Sequence, residues 1–536
     1  MVMIGHSDRR ASGLQGRNRA GKRGLVALAL MASIAACTPV GPNFVRPNSP
    51  VMTKWIESNS PQGSAQSGLT ERSAPVVKWW ETFNDPTLNK LVAQAYAQNL
   101  SLQIAGARVL QARAELGIAF GDLYPQSQVL GGSASRRRIS QNLGPIRDLE
   151  RVVDLDTDFA TSQAGFDAQW ELDVWGAQRR GTQAAKSNLA AQVASYDDAL
   201  VTLTGDVAAI YINIRALQEA ISIARQNINL QQESTDIAKL RQQNGVTTEL
   251  DVQESLSLLN NTKAIVPGLE SDLQQSKNAL AVLLGTTPSK MTSLLGNSGR
   301  IPRASSSSIA VGVPAELLRR RPDVRAAELT AAAQSAKIGI ALSDLYPQFV
   351  LSGAIGVQAS SGSTLFSSQS RTGLASAGVV WNLFNYGRIK NNVRVQDATF
   401  QELVANYQNT VVSAYAEVEN AMVAYTEARK QVSLYQKSVD ASKKAAEIAV
   451  SQYTDGIADY SRVVNTQTVL LRSQANLIEA RSLVSSSLVS IYKGLGGGWQ
   501  IRRGREFLPE TVLAEMAYRT DWGDLLEKDP TGMSFN

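Results

Sequence analysis

The 536-residue chain has one histidine, His6, and one cysteine, Cys37. Both lie near its start, and the stretch up to Ala36 reads as removable, so a mature chain from Cys37 would hold 500 residues and no histidine. Histidine catalysis and Cys/His zinc sites are thereby excluded, and no cofactor or metal is expected. A strong excess of one charge is also missing. Of the 53 basic residues, Arg9, Arg10, Arg17, Arg19, Lys22 and Arg23 precede Cys37 with one acid, Asp8, leaving 47 basic against 46 acidic side chains. The mature net charge is about +1 at neutral pH. Nucleic acid loses its electrostatic footprint and is not an expected partner. A glycine-rich phosphate loop, a nucleophile elbow and a carboxylate cluster away from helix faces are absent too. No catalytic residue is assigned, and an enzyme is not expected.

What is present begins with a leader. Basic residues ending at Lys22 and Arg23 precede an apolar stretch, GLVALALMASIAA at 24–36, of signal-peptide length and too short to span a bilayer as a helix. Ile34, Ala35 and Ala36 before Cys37 resemble the lipobox of bacterial lipoproteins, in which the cysteine becomes the acylated first residue. An ordinary export signal with a chance cysteine is the alternative. Thr38 is not the aspartate that, in the enterobacterial sorting rule, retains lipoproteins in the inner membrane, so the resemblance points to the outer membrane.

The remainder is internally duplicated. LGIAFGDLYPQ at 116–126 matches IGIALSDLYPQ at 338–348 in 8 of 11 positions, at an offset of 222. WELDVWG at 170–176 pairs with WNLFNYG at 381–387, and NGVTTELDV at 244–252 with DGIADYSRV at 455–463, both at an offset of 211. An offset held across a strand end, a long helix and its turn speaks for duplication rather than chance likeness between alanine-rich helices. From Phe400, steps of four and three land on Val404, Tyr407, Val411 and so on to Ala449 and Tyr453, broken only by Ser442. The same register in the first half runs from Leu189 to Ile228. A sustained 3.5-residue repeat predicts left-handed coiled coil. Some 60 proline-free residues would make each helix roughly 90 Å long. In the first half the seam turns polar at Gln231, Thr235 and Gln242, as expected where a coil approaches water or a looser contact. Gly245 and Gly456 then reverse the chain into second helices, 249–284 and 458–494, giving two αα-hairpins.

Between LYPQ and the tryptophan motifs the period changes to two. At 374–384, Ala375, Ala377, Val379, Trp381 and Leu383 alternate with Ser376, Gly378, Val380 and Asn382. At 159–172, Ala160, Ala164, Phe166, Ala168, Trp170 and Leu172 alternate with polar or small residues. Strands at 349–359 and 127–136 complete two hairpins, with loops near 137–157 and 360–373. A half-buried soluble sheet shows the same alternation. Strands of about ten residues with aromatics near their ends also match transmembrane barrel strands. Four strands are too few to close a barrel, so a membrane reading requires subunits to share one.

Several separate stretches resemble one family, the TolC-like outer membrane factors, and within it the lipidated OprM/NodT branch. These are CTPVGPNFVRP at 37–47, WWETFNDPTLNKLV at 79–92, the two DLYPQ segments and LLRRRPDVRAAE at 317–328. The arginine and proline run reads locally as a helix start, and Arg319, Arg320 and Arg321 are given no chemistry. The resemblance implies an α+β membrane protein: a homotrimer whose four strands per subunit form one shared 12-stranded transmembrane β-barrel, with a long periplasmic coiled-coil tunnel. It divides the chain into a lipoprotein signal peptide (1–36), an N-terminal anchor and equatorial segment (37–85), a first repeat (86–285, tip 244–248), an equatorial linker (286–316), a second repeat (317–496, tip 455–459) and a C-terminal equatorial segment (497–536). It implies a passive conduit in a tripartite efflux pump, in the outer membrane of a Gram-negative bacterium and in contact with its lipid. The partners would be a periplasmic adaptor (membrane fusion protein) and an inner-membrane resistance-nodulation-division transporter, which supplies the energy.

Carried over residue by residue, the resemblance makes Tyr453 a latch tyrosine and Asp251 its partner on the other hairpin. Tyr453 also lies on the coiled-coil seam, where plain packing would bury it. The family's constricting carboxylates fall at Arg462 and Asn465, a departure that would reverse the preference for cations unless Asp455 and Asp459 neutralise the arginine. Gly245, Val246, Thr247, Gly456, Ile457 and Ala458 fall where adaptor hairpins dock, or simply turn the chain. A TolC-like conduit for protein secretion shares the fold, and a lipid-anchored coiled-coil adaptor shares the hairpins. The strand hairpins disfavour the adaptor, and lipidation with the RRPDVRAAE run favours efflux over secretion.

Overall fold

A computed structural model describes residues 38–50, 54–56, 69–70, 77–140, 153, 157–296, 298–304, 309–310 and 320–526. The lipidation expected at Cys37 falls outside the described residues. The chain divides into two compact units, one of residues 1–45, 114–187 and 331–402, the other of 46–113, 188–330 and 403–536.

The elements repeat. Helices α1 (Pro86–Gln98) and α2 (Leu100–Gly121) lead to strands β1 (Ser127–Arg138) and β2 (Asp158–Leu172), then α3 (Ala177–Gln243) and α4 (Glu249–Leu283). After the short α5 (Met291–Leu295), α6 (Pro322–Ser343), β3 (Gln348–Ala359), β4 (Arg371–Val380), α7 (Arg388–Thr454) and α8 (Tyr460–Gly494) follow the same plan, and α9 (Glu510–Arg519) comes last. Helices α3 and α7 have 67 residues each, α4 and α8 have 35 each, and α2 and α6 have 22 each. At 1.5 Å per residue the longest pair run about 100 Å.

In the first unit the four strands form one antiparallel sheet in chain order, β1-β2-β3-β4, so β1 and β4 are open edges. Directly paired residues share a face, and Leu130, Phe166, Ile355 and Gly373 stand in one row. Trp170, Leu351 and Ala377 form another, and Leu172, Phe349 and Val379 a third. Alternation in the sequence ran to Leu383, whereas β4 ends at Val380. Trp381 instead donates its indole N–H to the Leu345 carbonyl at 3.0 Å, and the Leu383 amide turns back to the Trp381 carbonyl. Below the sheet Asp173 receives the amides of Gln178 and Arg179 and starts α3. Trp175 stacks on Tyr346, with centroids 4.6 Å apart, and bonds the Pro347 carbonyl.

The second unit holds the helical core. The coiled-coil seam of α7 is buried at Val404, Tyr407, Val411, Ala414, Val418, Ala421, Tyr425 and Ala428, and again from Ser442 to Tyr453. Helix α3 is the one helix among the described residues long and apolar enough to cross a membrane, but two-thirds of its apolar window is buried within the molecule. Of the two expectations for the polar seam, approach to water is overturned at Gln231 and Thr235, which are 1% and 0% exposed. Thr235 returns its hydroxyl to the Gln231 carbonyl of its own helix, and Gln467 of α8 donates to Ser234, while both polar atoms of the Gln231 side chain are buried without a hydrogen-bond partner.

The arginine and proline run places Pro322 first in α6, as its missing amide hydrogen allows. Arg321 does more than start a helix. It is 8% exposed, pairs with Asp323 and Glu417 at 2.8 and 2.9 Å, and donates to the Gly494 carbonyl at the end of α8. One guanidinium thus ties α6, α7 and α8 together, which its fork of five donors permits.

Candidate gate at the hairpin tips and the apolar sheet face

Each hairpin tip is closed by the same backbone device. Gly245 bonds the Gln242 carbonyl while Val246 bonds Arg241, and Gly456 bonds Tyr453 while Ile457 bonds Gln452. This double bond with a left-handed glycine, at φ 71° and 78°, ends both long helices. Val246 and Ile457, 61% and 74% exposed, project apolar side chains from the tips.

The structure brings Tyr453 and Asp251 together. Tyr453, in the last turn of α7, donates its hydroxyl to Asp251 Oδ2 at 3.0 Å in the first turn of α4, linking the two hairpins. Thr247 donates to the same oxygen. Arg241, at the end of α3, lies 5.0 Å over the Tyr453 ring and donates to the Thr454 carbonyl at 2.7 Å, where the α7 dipole favours a cation. Tyr460 meets the Tyr453 ring edge-on at 4.9 Å. Beneath the link, Ala238, Val252, Ala449 and Val463 pack with both tyrosines. Burial pushes the Tyr453 phenol above its ordinary range, and the bond to Asp251 adds to the rise. Burial carries Tyr460 up to about 12. Both hydroxyls keep their protons at neutral pH, so Tyr453 is a donor whenever the hairpins are in register.

The other predicted gate residues are not joined to this cluster. Asp455, Asp459, Arg462 and Asn465 are exposed. Among the described residues no ion pair joins Arg462 to Asp455 or Asp459; Arg462 offers only its amide, to the Asp459 carbonyl. Sequence reasoning missed Arg241, Thr247 as a second donor to Asp251, and Tyr460. Arg241 and Tyr453 lie on different helices far apart in the chain, a pairing no periodicity reveals. Tyr460, seven residues beyond Tyr453, was in reach of the sequence.

The sheet supplies a second surface. One face carries Leu130, Ala134, Phe166, Trp170, Leu351, Ile355, Ala375 and Val379; the other mixes Thr161, Gln163, Asp167, Gln169, Ser352, Gln358 and Ser376 with Val129, Val350, Leu374 and Val380. Leu130 is 83% exposed and Ile355 67%, so among the described residues this apolar face is open. Among the described residues no group of His, Cys, Asp and Glu is arranged to hold a metal.

A sheet with one apolar and one mixed face, on a chain otherwise built of long paired helices, fits a membrane channel of mixed α and β structure. The chain belongs to the outer membrane efflux protein family, whose model matches residues 91–286 and 313–497. It is 32% identical over 482 residues to the pyoverdine export outer membrane protein OpmQ of Pseudomonas putida, covering 89% of this chain and 98% of that one. It is 29% identical to Nodulation protein T of Rhizobium leguminosarum bv. viciae, covering 89% and 93%. The solved outer-membrane channel OprN superposes with a TM-score of 0.79 at 30% identity, over 86% of this chain and 99% of that one. The chain is therefore an outer membrane efflux channel, and its family consists of channels rather than enzymes.

Proposed function

We propose that the protein is the passive outer membrane conduit of a tripartite efflux pump, exporting small molecules delivered by an inner-membrane resistance-nodulation-division transporter through a periplasmic adaptor. The observation that carries this reading is the four-stranded sheet with an apolar face and two open edges. Unpaired edges cannot stand in lipid, and four strands cannot close. Three copies joining β4 of one to β1 of the next make a barrel of twelve strands and remove every edge. Their helical hairpins then form the tunnel. The two repeats, 86–285 and 317–496, are the halves of the duplication, accompanied by the equatorial segments 37–85, 286–316 and 497–536, with the signal peptide 1–36 removed. Acylation of Cys37 anchors the chain to the outer membrane lipid.

Tyr453 and Asp251 act as the latch of the periplasmic gate. Gly245, Val246, Thr247, Gly456, Ile457 and Ala458 receive the adaptor, whose docking parts the tips. Arg462 and Asn465 line the constriction, where a ring of arginines not paired with Asp455 or Asp459 favours anions. The names of the relatives attach their cargo to those proteins; small organic molecules are the class proposed here. Protein extracted from outer membranes is expected to run as an elongated trimer in detergent and to conduct in planar bilayers. Deleting the gene is expected to raise susceptibility to small molecules and leave the secreted proteins unchanged. A monomer without conductance, or unchanged susceptibility, would overturn the proposal.

A further inference from the structure

The apolar face of the sheet is charged at one end only. Register places Arg136 and Arg138 of β1 and Asp158 of β2 on the same face as Leu130 and Phe166, and Arg371 of β4 on the same face as Ile355. All four stand at the loop end of their strands, Arg138 last in β1, Asp158 first in β2 and Arg371 first in β4. At the helix end the same face carries Gln128, Trp170, Leu172, Phe349 and Val379, none of them charged. Asp158 is already engaged by Arg136, at 2.9 and 3.2 Å. Among the described residues this face therefore keeps an excess of two arginines at its loop end.

An arginine on the lipid side of a barrel strand is strongly destabilising at the bilayer midplane and costs almost nothing at the headgroups. These arginines must lie at headgroup level, and on the side opposite the helices. Resting on the shared-barrel reading above, we propose that Arg138 and Arg371, with the Arg136–Asp158 pair beside them, form a docking site for the phosphate groups of an anionic phosphorylated glycolipid in the outer leaflet. Guanidinium groups grip phosphate oxygens in pairs, which ammonium groups do not. Joining β4 of one subunit to β1 of the next brings Arg371 toward the Arg136 and Arg138 side of its neighbour, so the site completes at each subunit junction. Arg137 stands between them on the opposite face and takes no part.

The test uses the full-length trimer in detergent, titrated with purified lipopolysaccharide and read by native mass spectrometry. Arg138→Gln with Arg371→Gln is expected to weaken binding roughly tenfold or more at low salt. Arg137→Gln is expected to bind as wild type, and millimolar inorganic phosphate to leave the lipid bound. Undiminished binding by the double variant, equal loss in Arg137→Gln, or displacement by inorganic phosphate would overturn the proposal. Conductance recorded on the same preparations separates the two readings. Conducting trimers whose lipid binding ignores Arg138 and Arg371 refute the rim site alone, and a non-conducting monomer refutes the shared barrel and the rim site with it.

Discussion

Tyr453→Phe combined with Asp251→Ala is expected to raise leak conductance. The hydroxyl of Tyr453 meets Asp251 at 3.0 Å in a site whose floor is apolar. A hydrogen bond to a charged group contributes about 1.5–3 kcal/mol. The phenylalanine keeps the ring against Tyr460 and beneath Arg241, and Thr247 still satisfies Asp251, so the single change belongs near 1.5 kcal/mol at the lower end of that range. If three subunits close together, the loss sums to about 4–5 kcal/mol, roughly a thousandfold in the closed-to-open ratio. Turning a 99:1 gate fully over takes about 5.5 kcal/mol, and a thousandfold loss takes it to about 1:10, so the single variant already carries a shut gate past balance and the double variant opens it further. Single-channel recording in planar bilayers reads this directly. Unchanged conductance in the double variant would refute the latch, and a leak from Tyr453→Ala but not from the double variant would assign Tyr453 to packing.

Two further changes test the framework behind the gate. Arg321→Met removes the cation from Asp323 and Glu417 and a donor from the Gly494 carbonyl; because the two acids keep partial access to water, the cost is expected near 2–3 kcal/mol rather than the full toll of a broken buried pair, read as a lower unfolding temperature. An unchanged unfolding temperature would remove Arg321 from its role as a tie. Asp198 is raised from 3.8 to about 6 by burial, with Asp323 and Glu417 adding to the rise and Arg321 and Lys493 opposing it. The fold thus favours the neutral acid: its contribution is fully present below pH 4 and lost as pH rises through about 6. Asp198→Asn is expected to stabilise the protein by about 2–3 kcal/mol at pH 7.5 and hardly at all at pH 4. Parallel pH–stability curves for the two proteins would refute this account.

Much of the architecture was legible because it is periodic. Steps of four and three predicted the seam from Val404 to Tyr453, and those positions pack because a 3.5-residue repeat keeps one stripe against a partner helix. Alternation likewise marked which strand residues share a face. What stayed hidden depends on side chains meeting across long chain separations. Arg321 looked like a helix start because its partners include Glu417 and Gly494, on helices more than 90 residues away. Gln231 and Thr235 looked solvated because polarity was taken for exposure, whereas Thr235 is buried with its hydroxyl returned to its own helix and Gln231 is buried with both side-chain polar atoms unpartnered. The strand end at Val380 was missed because Trp381 continues the alternation but spends its indole on a carbonyl outside the sheet.

The duplication also explains why the Tyr453–Asp251 bond occurs once in the chain. At an offset of 211, Ala238 corresponds to Ala449 and Val252 to Val463, and all four lie in the cluster under the link. Packing has kept its pseudo-symmetry. The polar members have not: Asp251 corresponds to Arg462, Tyr453 to Gln242, Thr247 to Ala458 and Arg241 to Gln452. A mirrored link would set Gln242 against Arg462, with no carboxylate to accept, and Gln242 instead bonds Glu249 in its own hairpin at 3.3 Å. Symmetric packing aligns the two tips, while divergent polar residues give the contact one direction, donor on the second hairpin and acceptor on the first. No duplicate link stands behind it. Loss of one hydroxyl and one carboxylate therefore removes the whole hydrogen-bonded pair, and the exposed Arg462 occupies on the second tip the position that Asp251 fills on the first.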